Sequence, residues 1–349
     1  NYYFSFGYLN NEGAKQGDDY YAFRSNMKLN AKITDWLEIG ANVNFQDRSD
    51  VSNAVPLGSN YWDNNQLRES PFAVRFDENG NEIQFPRTGN PTNGGYNYHF
   101  NDMYDELEKG YTVLNTIFNA KVTLPFGFTS SFNIAPRYQW FYDRYFMSAD
   151  LPNSTASSRG VNRKSSKSFD WSLNNTLTWD KTFDEHRFTV TLVQEAEENR
   201  YWSDNIEARN ITPTDVLGLH YISGANKEQS NFWASDSHST AAAYLGRLFY
   251  SYKDRYMFTG TVRRDGYSAF GQNNPWATFW SLGGSWVFSE EKFVDLDWLN
   301  TGKLRVSYGT NGNRSLGDTY LALSNLSNGG VMGYWNNGAS SVVHALYVD

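Results

Sequence analysis

From Phe23 to Ile33 the chain alternates. Phe23, Ser25, Met27, Leu29, Ala31 and Ile33 fall on one face, and Arg24, Asn26, Lys28, Asn30 and Lys32 on the other. After Thr34 and Asp35 the alternation resumes, with Leu37, Ile39, Ala41, Val43 and Phe45 against Glu38, Gly40, Asn42, Asn44 and Gln46. Successive side chains of a strand point to opposite faces, so each run predicts a strand with one apolar and one polar face. Two such runs joined by a short turn predict an antiparallel hairpin. The period recurs in Leu114, Phe118, Ala120, Val122 and Leu124, in Phe128, Phe132 and Ile134, and in Phe169, Trp171, Leu173, Leu177 and Trp179. It returns in Phe188, Val190 and Leu192, in Tyr244, Leu248, Tyr250 and Tyr252, in Tyr256, Phe258 and Val262, in Leu282, Trp286 and Phe288, and in Leu304, Val306 and Tyr308.

The connections between these runs alternate in length. Short ones fall near 34–35, 125–127, 181–186 and 253–254, and long ones rich in Asn, Ser and Gly near 49–110, 149–167 and 208–237. Short turns at one end and long loops at the other are the asymmetry of an outer-membrane barrel, with the long loops outside the cell. Trp36, Trp179, Tyr252, Tyr256 and Trp286 gather beside the short turns, where amphipathic rings suit a lipid headgroup girdle. Residues 290–300 leave the pattern and predict a short helical turn on the periplasmic side. The expected fold class is therefore all-β, an antiparallel transmembrane β-barrel, with residues 1–349 forming part of one barrel domain. A soluble β-sandwich also alternates, but its turn signals come at shorter and more even intervals.

Composition agrees with strands and turns: 12 Trp, 24 Tyr, 24 Phe and 28 Gly. Mean hydropathy is well below zero and no run approaches the roughly 18 apolar residues of a membrane helix. A strand that faces lipid on one side only has no such run, so the low hydropathy does not count against a barrel. Cysteine is absent, which excludes disulfides, thiolate metal sites and a Cys nucleophile. A net charge of −8 leaves no basic stripe for nucleic acid. Tyr2, Phe4, Phe6 and Tyr8 already stand in a strand pattern with no leader before them, so an internal piece of a barrel is expected.

Candidate chemistry is thin. His99, His186, His220, His238 and His344 lack metal-ligand spacing. The run Asp77 to Glu82 is oxygen-rich but lacks the spacing of a calcium loop, and its Asn79-Gly80 pair predicts a hairpin turn instead. No nucleophile elbow, phosphate loop or dinucleotide fingerprint occurs, so no catalytic residue, metal or cofactor is assigned. The polar faces of the first hairpin, Arg24, Asn26, Lys28, Asn30, Glu38, Asn42, Asn44 and Gln46, are expected to line a lumen or meet a plug. Tyr61, Trp62, Tyr201, Trp202 and Trp233 are expected in loops, where flat rings stack on the C–H faces of sugars or else pack among themselves.

Two stretches carry a family resemblance. Arg263, Arg264, Asp265, Gly266, Ser268, Phe270, Gly271, Trp276, Phe279, Gly284 and Trp286, continued by Trp298, Leu299, Asn300 and the run Lys303 to Gly309 with Gly312 and Asn313, resemble the SusC-like family of TonB-dependent outer-membrane transporters. Tyr3, Ser5, Gly7, Tyr8, Leu9, Asn10 and Gly13, with Trp36, Leu37, Gly40 and Asn42, are similar to that family's early barrel strands. The resemblance implies a barrel of about 22 strands around a plug. About a dozen strand-like runs are visible here, so the plug and part of the barrel are expected to lie outside this chain. It further implies TonB-driven import of oligosaccharides or peptides in a Gram-negative outer membrane, with a SusD-like surface lipoprotein as lid and TonB acting through the plug. Two alternatives remain open on the sequence: a barrel that serves as a scaffold, and a soluble carbohydrate-binding module.

Overall fold

A computed structural model describes residues 1–13, 18–52, 73–86, 97, 99–270, 275–294, 298–313, 326–336 and 339–348. Eleven strands form one antiparallel sheet in sequence order: β1 (Tyr2–Asn11), β2 (Asp18–Lys32), β3 (Leu37–Ser52), β4 (Glu106–Thr123), β5 (Phe128–Met147), β6 (Gly160–Phe183), β7 (His186–Arg209), β8 (Asn231–Tyr252), β9 (Tyr256–Tyr267), β10 (Trp276–Trp286) and β11 (Leu304–Gly309). A six-residue helix, α1 (His99–Tyr104), precedes β4. A separate hairpin pairs β12 (Leu326–Asn336) with β13 (Ala339–Val348). No helix among the described residues is long and apolar enough to cross a membrane, which says nothing of strands.

The tight turns described within the eleven-stranded sheet lie at one end. Strands β2 and β3 join through 33–36, where the Thr34 hydroxyl accepts the Leu37 amide at 3.1 Å. Strands β6 and β7 join through 184–185 with Asp184 at φ 50°, and β8 and β9 through 253–255 with Lys253 and Asp254 at φ 55° and 50°. In the β4–β5 connection Gly127 has φ +89°, and a Cβ there would lie 2.3 Å from the Asp180 carbonyl oxygen, so only glycine fits. Around this rim the aromatic residues form a belt. Trp179 lies 6.3 Å from Phe128 and 6.4 Å from Phe183, and Tyr252 stacks at 6.3 Å on Tyr256. The Glu291 carboxylate ties the last of them together by accepting from the Tyr256 hydroxyl and from the Trp286 indole at 3.1 Å. Those two donors hold its carboxyl below the ordinary value. The described residues form a 3-10 turn at Phe288–Glu290, which meets the helical turn expected at 290–300 only at Glu290.

Register sorts the side chains onto two walls. Arg24 faces Gln46, Asn26 faces Asn44 and Lys28 faces Asn42, while Phe23, Met27 and Leu29 on the opposite wall stand against Tyr8, Phe4 and Tyr2. The apolar wall is largely uncovered: Phe4 and Phe6 are each 67% exposed and Val262 56%. Exposed apolar surface on this scale calls for a non-aqueous neighbour. That makes the apolar wall the outer face of the sheet and the polar wall the inner one.

Strands run further than the alternation suggests. β6 and β7 have 24 residues each and β8 has 22, about twice the 9–11 needed to span a bilayer. The connections expected at 149–167 and 208–237 accordingly shrink to 148–159 and 210–230. Above the apolar band the outer positions become Glu198, Arg200, Asp204 and Asp236, so the period-2 hydrophobic signal stops while backbone pairing continues. The small packed core sits in this upper region. Phe146, Val161 and Ala208 on the outer wall are covered by Ile211, Leu219, Tyr221 and Ile222 of the 210–230 connection.

Candidate functional site

The inner wall carries the polar chemistry, and it divides into two halves. Across β2–β5 it is built from amides and cations. Asn26 donates to Asn44, Asn44 to Asn42 at 3.3 Å, and Gln46 to the Tyr111 hydroxyl at 2.9 Å. Arg24, Asn26, Asn44, Gln46, Tyr111 and Arg137 line a groove of roughly 660 Å³. Lower on the same wall Glu38 stands between Lys32 and Lys121, and Asn30 opposite Gly40. Across β6–β9 carboxylates and cations are interleaved. Arg263 donates to Glu195 at 2.6 Å and to both oxygens of Asp265 at 2.9 and 3.0 Å. Beside it, Ala135, Ser172, Ala241 and Ala243 leave a recess of about 310 Å³ edged by Glu195 and Glu197.

At the upper end one row crosses the strands with alternating charge: Asp50, Lys109, Asp143 and Lys164 stand directly opposite one another in turn. Asp143 is 2% exposed and its Oδ1 has no hydrogen-bond partner among the described residues. Rings line this level: Tyr20 stands opposite Asp50, and Tyr111 and Phe141 follow Arg48 in the next row down. The Arg48 guanidinium lies 3.8 Å over the Tyr20 ring and 5.6 Å from that of Tyr111, and Lys164 Nζ is 5.9 Å from the Phe141 ring. Tyr20, Arg48, Tyr111 and Phe141 are absent from the sequence-based site. Carrying the alternation of β2–β5 upward by the same parity would have found them.

All eight polar residues of the first hairpin share the polar wall by their pairing. The aromatic candidates scatter. Tyr61 and Trp62 lie outside the described residues. Tyr201, Trp202 and Trp233 are in strands and not in loops, because β7 and β8 continue above the apolar band. Tyr201, opposite Ser168 and Ser237, and Trp233, opposite Asn205, face inward. Trp202 is the neighbour of Tyr201 and so points to the other wall, opposite Lys167 and Asp236. The Asp77 run forms the expected turn: Gly80 has φ +82°, and Asp77 Oδ1 accepts the Asn79 and Asn81 amides, each at 2.8 Å.

Above the bilayer level the 210–230 connection is fastened by a buried polar knot. Asp215 accepts from Arg159 and the Ser148 hydroxyl, and from the Ala149 amide at 3.0 Å, while Arg159 also donates to the Ile211 carbonyl at 2.9 Å. Burial pushes the Asp215 carboxyl up, but Ser148 and Arg159 outweigh it and hold it below its ordinary value. Asp105 accepts from Tyr145 at 2.5 Å, Asn101 at 2.7 Å and the Ser148 amide at 2.8 Å, yet burial dominates and raises its carboxyl.

No family model matches the chain. It is 26% identical over 342 residues to the TonB-dependent receptor P26 of Formosa agariphila, covering 90% of this chain and 31% of that protein. Over 86 residues, 24% of this chain and 9% of the other, it is 43% identical to the TonB-dependent receptor SusC of Bacteroides thetaiotaomicron. In fold it superimposes on the structure of the RagAB peptide transporter with a TM-score of 0.79 at 19% identity, covering all of this chain and 38% of that one. The chain thus spans about a third of the length of the curated relatives it matches along most of its own length.

Proposed function

We propose that the chain is a SusC-like TonB-dependent transporter, as its likeness to the receptors P26 and SusC supports, and that it forms one side of an outer-membrane importer for oligosaccharides or peptides. The observation that carries this reading is the two-walled sheet: an apolar wall for lipid, an aromatic belt at the tight-turn rim, and a polar wall for a hydrated lumen. Cargo enters at the end where the strands run long, against Tyr20, Arg48, Tyr111, Phe141, Tyr201 and Trp233. The lower inner wall, with Arg24, Asn26, Lys28, Asn30, Glu38, Asn42, Asn44 and Gln46, faces a plug or passing cargo. TonB supplies the energy through the plug, and a SusD-like lipoprotein closes the outer mouth. The location is the outer membrane of a Gram-negative cell.

The test is mass spectrometry of the native complex extracted in detergent, reading the co-purifying polypeptides and any retained small molecule. A SusD-like lipoprotein with a bound glycan or peptide is the expected result and identifies the cargo. Release of the protein without detergent would sink the reading in favour of a soluble binding module. A partner-rich assembly whose lumen never holds cargo would favour a scaffold.

A further inference from the structure

Arg264 and Arg263 are neighbours on β9 and therefore face opposite walls. Arg263 is paired with two carboxylates inside. Arg264 lies outside, in a row that reads Gln194, Tyr244, Arg264 and Thr278 across β7–β10, with Val262 and Gly266 before and after it on the same wall. None of these is acidic, and among the described residues no carboxylate pairs with Arg264. The adjacent stretch 271–274 reads Gly-Gln-Asn-Asn and adds none. The guanidinium sits instead in an aromatic frame: its Cζ is 5.5 Å from the Trp276 ring, and Tyr244 stacks on Trp276 at 6.1 Å and 26°. Gly266 makes the frame possible, since a Cβ there would lie 2.9 Å from the Trp276 ring.

Height decides what such a cation meets. Arg264 stands about eight residues above Tyr256 of the lower belt, roughly 26 Å of strand at 3.3 Å per residue. Strands tilted by about 40° turn that into about 20 Å of depth, near the top of an apolar band about 25 Å tall. A cation facing lipid there is costly unless it finds a counter-charge or water. Tyr and Trp mark the headgroup level, and a guanidinium's planar fork matches phosphate oxygens.

We propose that Arg264, with Tyr244 and Trp276, is an outer-wall site for the phosphate of a phosphorylated lipid in the extracellular leaflet. The proposal rests on the reading that the apolar wall meets lipid. The test uses the full-length transporter in an uncharged maltoside detergent. Lipid A with its phosphates, or the same lipid dephosphorylated, is added and the bound lipid is counted by native mass spectrometry. Arg264→Gln should weaken binding of the phosphorylated lipid about five-fold, equivalent to about 1 kcal/mol, while Arg264→Lys should keep part of it. Arg247→Gln, which removes an inner-wall cation, should change nothing. Heat-modifiable mobility on electrophoresis verifies that each variant is a folded barrel, and Arg264→Lys stands in should the Gln variant fail. Equal binding of the dephosphorylated lipid, or unchanged binding by Arg264→Gln, would overturn the site. Displacement of the lipid by millimolar inorganic phosphate would make it a free-anion site and overturn it as well. A protein that stays soluble without any detergent would instead remove the barrel reading beneath it.

Discussion

Arg263 and Arg264 share a peptide bond and almost nothing else. The inner one is paired with Glu195 and Asp265, and the outer one lies over the Trp276 ring with no carboxylate partner among the described residues. The same contrast separates Tyr201 from Trp202 and Asn44 from Val43. In each pair the strand's two-residue period places the two side chains on opposite walls, so the surroundings of each wall select the chemistry. The outer wall above the bilayer is the instructive exception. There water replaces lipid, and the apolar residues Phe146, Val161 and Ala208 are covered by the chain's own 210–230 connection.

The largest effect should come from stripping that cover. Asp215→Ala leaves Arg159, whose side chain is 9% exposed, without its carboxylate. Breaking a largely buried pair from one side costs about 3–5 kcal/mol. Limited proteolysis should then cut within 210–230 while the lower barrel stays resistant, and equal resistance would show that the knot does not hold the cover.

The contrast between walls is tested next by paired substitutions. Val43→Arg, about seven residues above Trp36 and so in the upper half of the apolar band, should destabilise by about 1–3 kcal/mol, between the midplane and interfacial costs. Asn44→Arg, one residue along, should cost about 1 kcal/mol or less, because an inward cation stays hydrated. Denaturant titration in lipid vesicles measures both, and equal costs would reverse or erase the assignment of the walls.

A smaller loss is expected inside. Glu195→Gln removes one partner of Arg263 but leaves Asp265, and both members of the Arg263–Glu195 pair are about a third exposed, so about 1 kcal/mol or less is at stake. A loss of several kcal/mol would mean this part of the lumen is far drier than a water-facing wall should be.

The smallest effect is the acid response of the cover. Asp215 titrates lower folded than unfolded, so its contribution is present above the ordinary carboxylate value and is lost as the pH falls through its folded value. Asp105 titrates higher when folded and has the opposite sign, costing stability as the pH rises from about 4 through its raised value. Hydrogen exchange of the Ile211 and Leu219 amides should therefore show protection falling below about pH 4 in the wild type. In Asp215→Asn that acid loss should disappear, and its persistence would assign it to another group.

Much of the fold was legible in the residues alone. The alternation in β2 and β3 determined which side chains share a wall, because period 2 is a property of the extended backbone and needs no tertiary information. The aromatic belt beside the short turns and the Asn79-Gly80 turn were readable for the same local reason. Where the strands end was not, since backbone pairing continues above the lipid after the hydrophobic signal has stopped. That is why Tyr201, Trp202 and Trp233 read as loop residues and stand in strands. Nor did the sequence reveal that Asp50, Lys109, Asp143 and Lys164 form one row, or that Arg263 is satisfied by a glutamate on another strand. Such neighbours lie tens of residues apart along the chain, and only strand register brings them together. The local period determined the walls of this protein, and the tertiary pairing decided what each wall can hold.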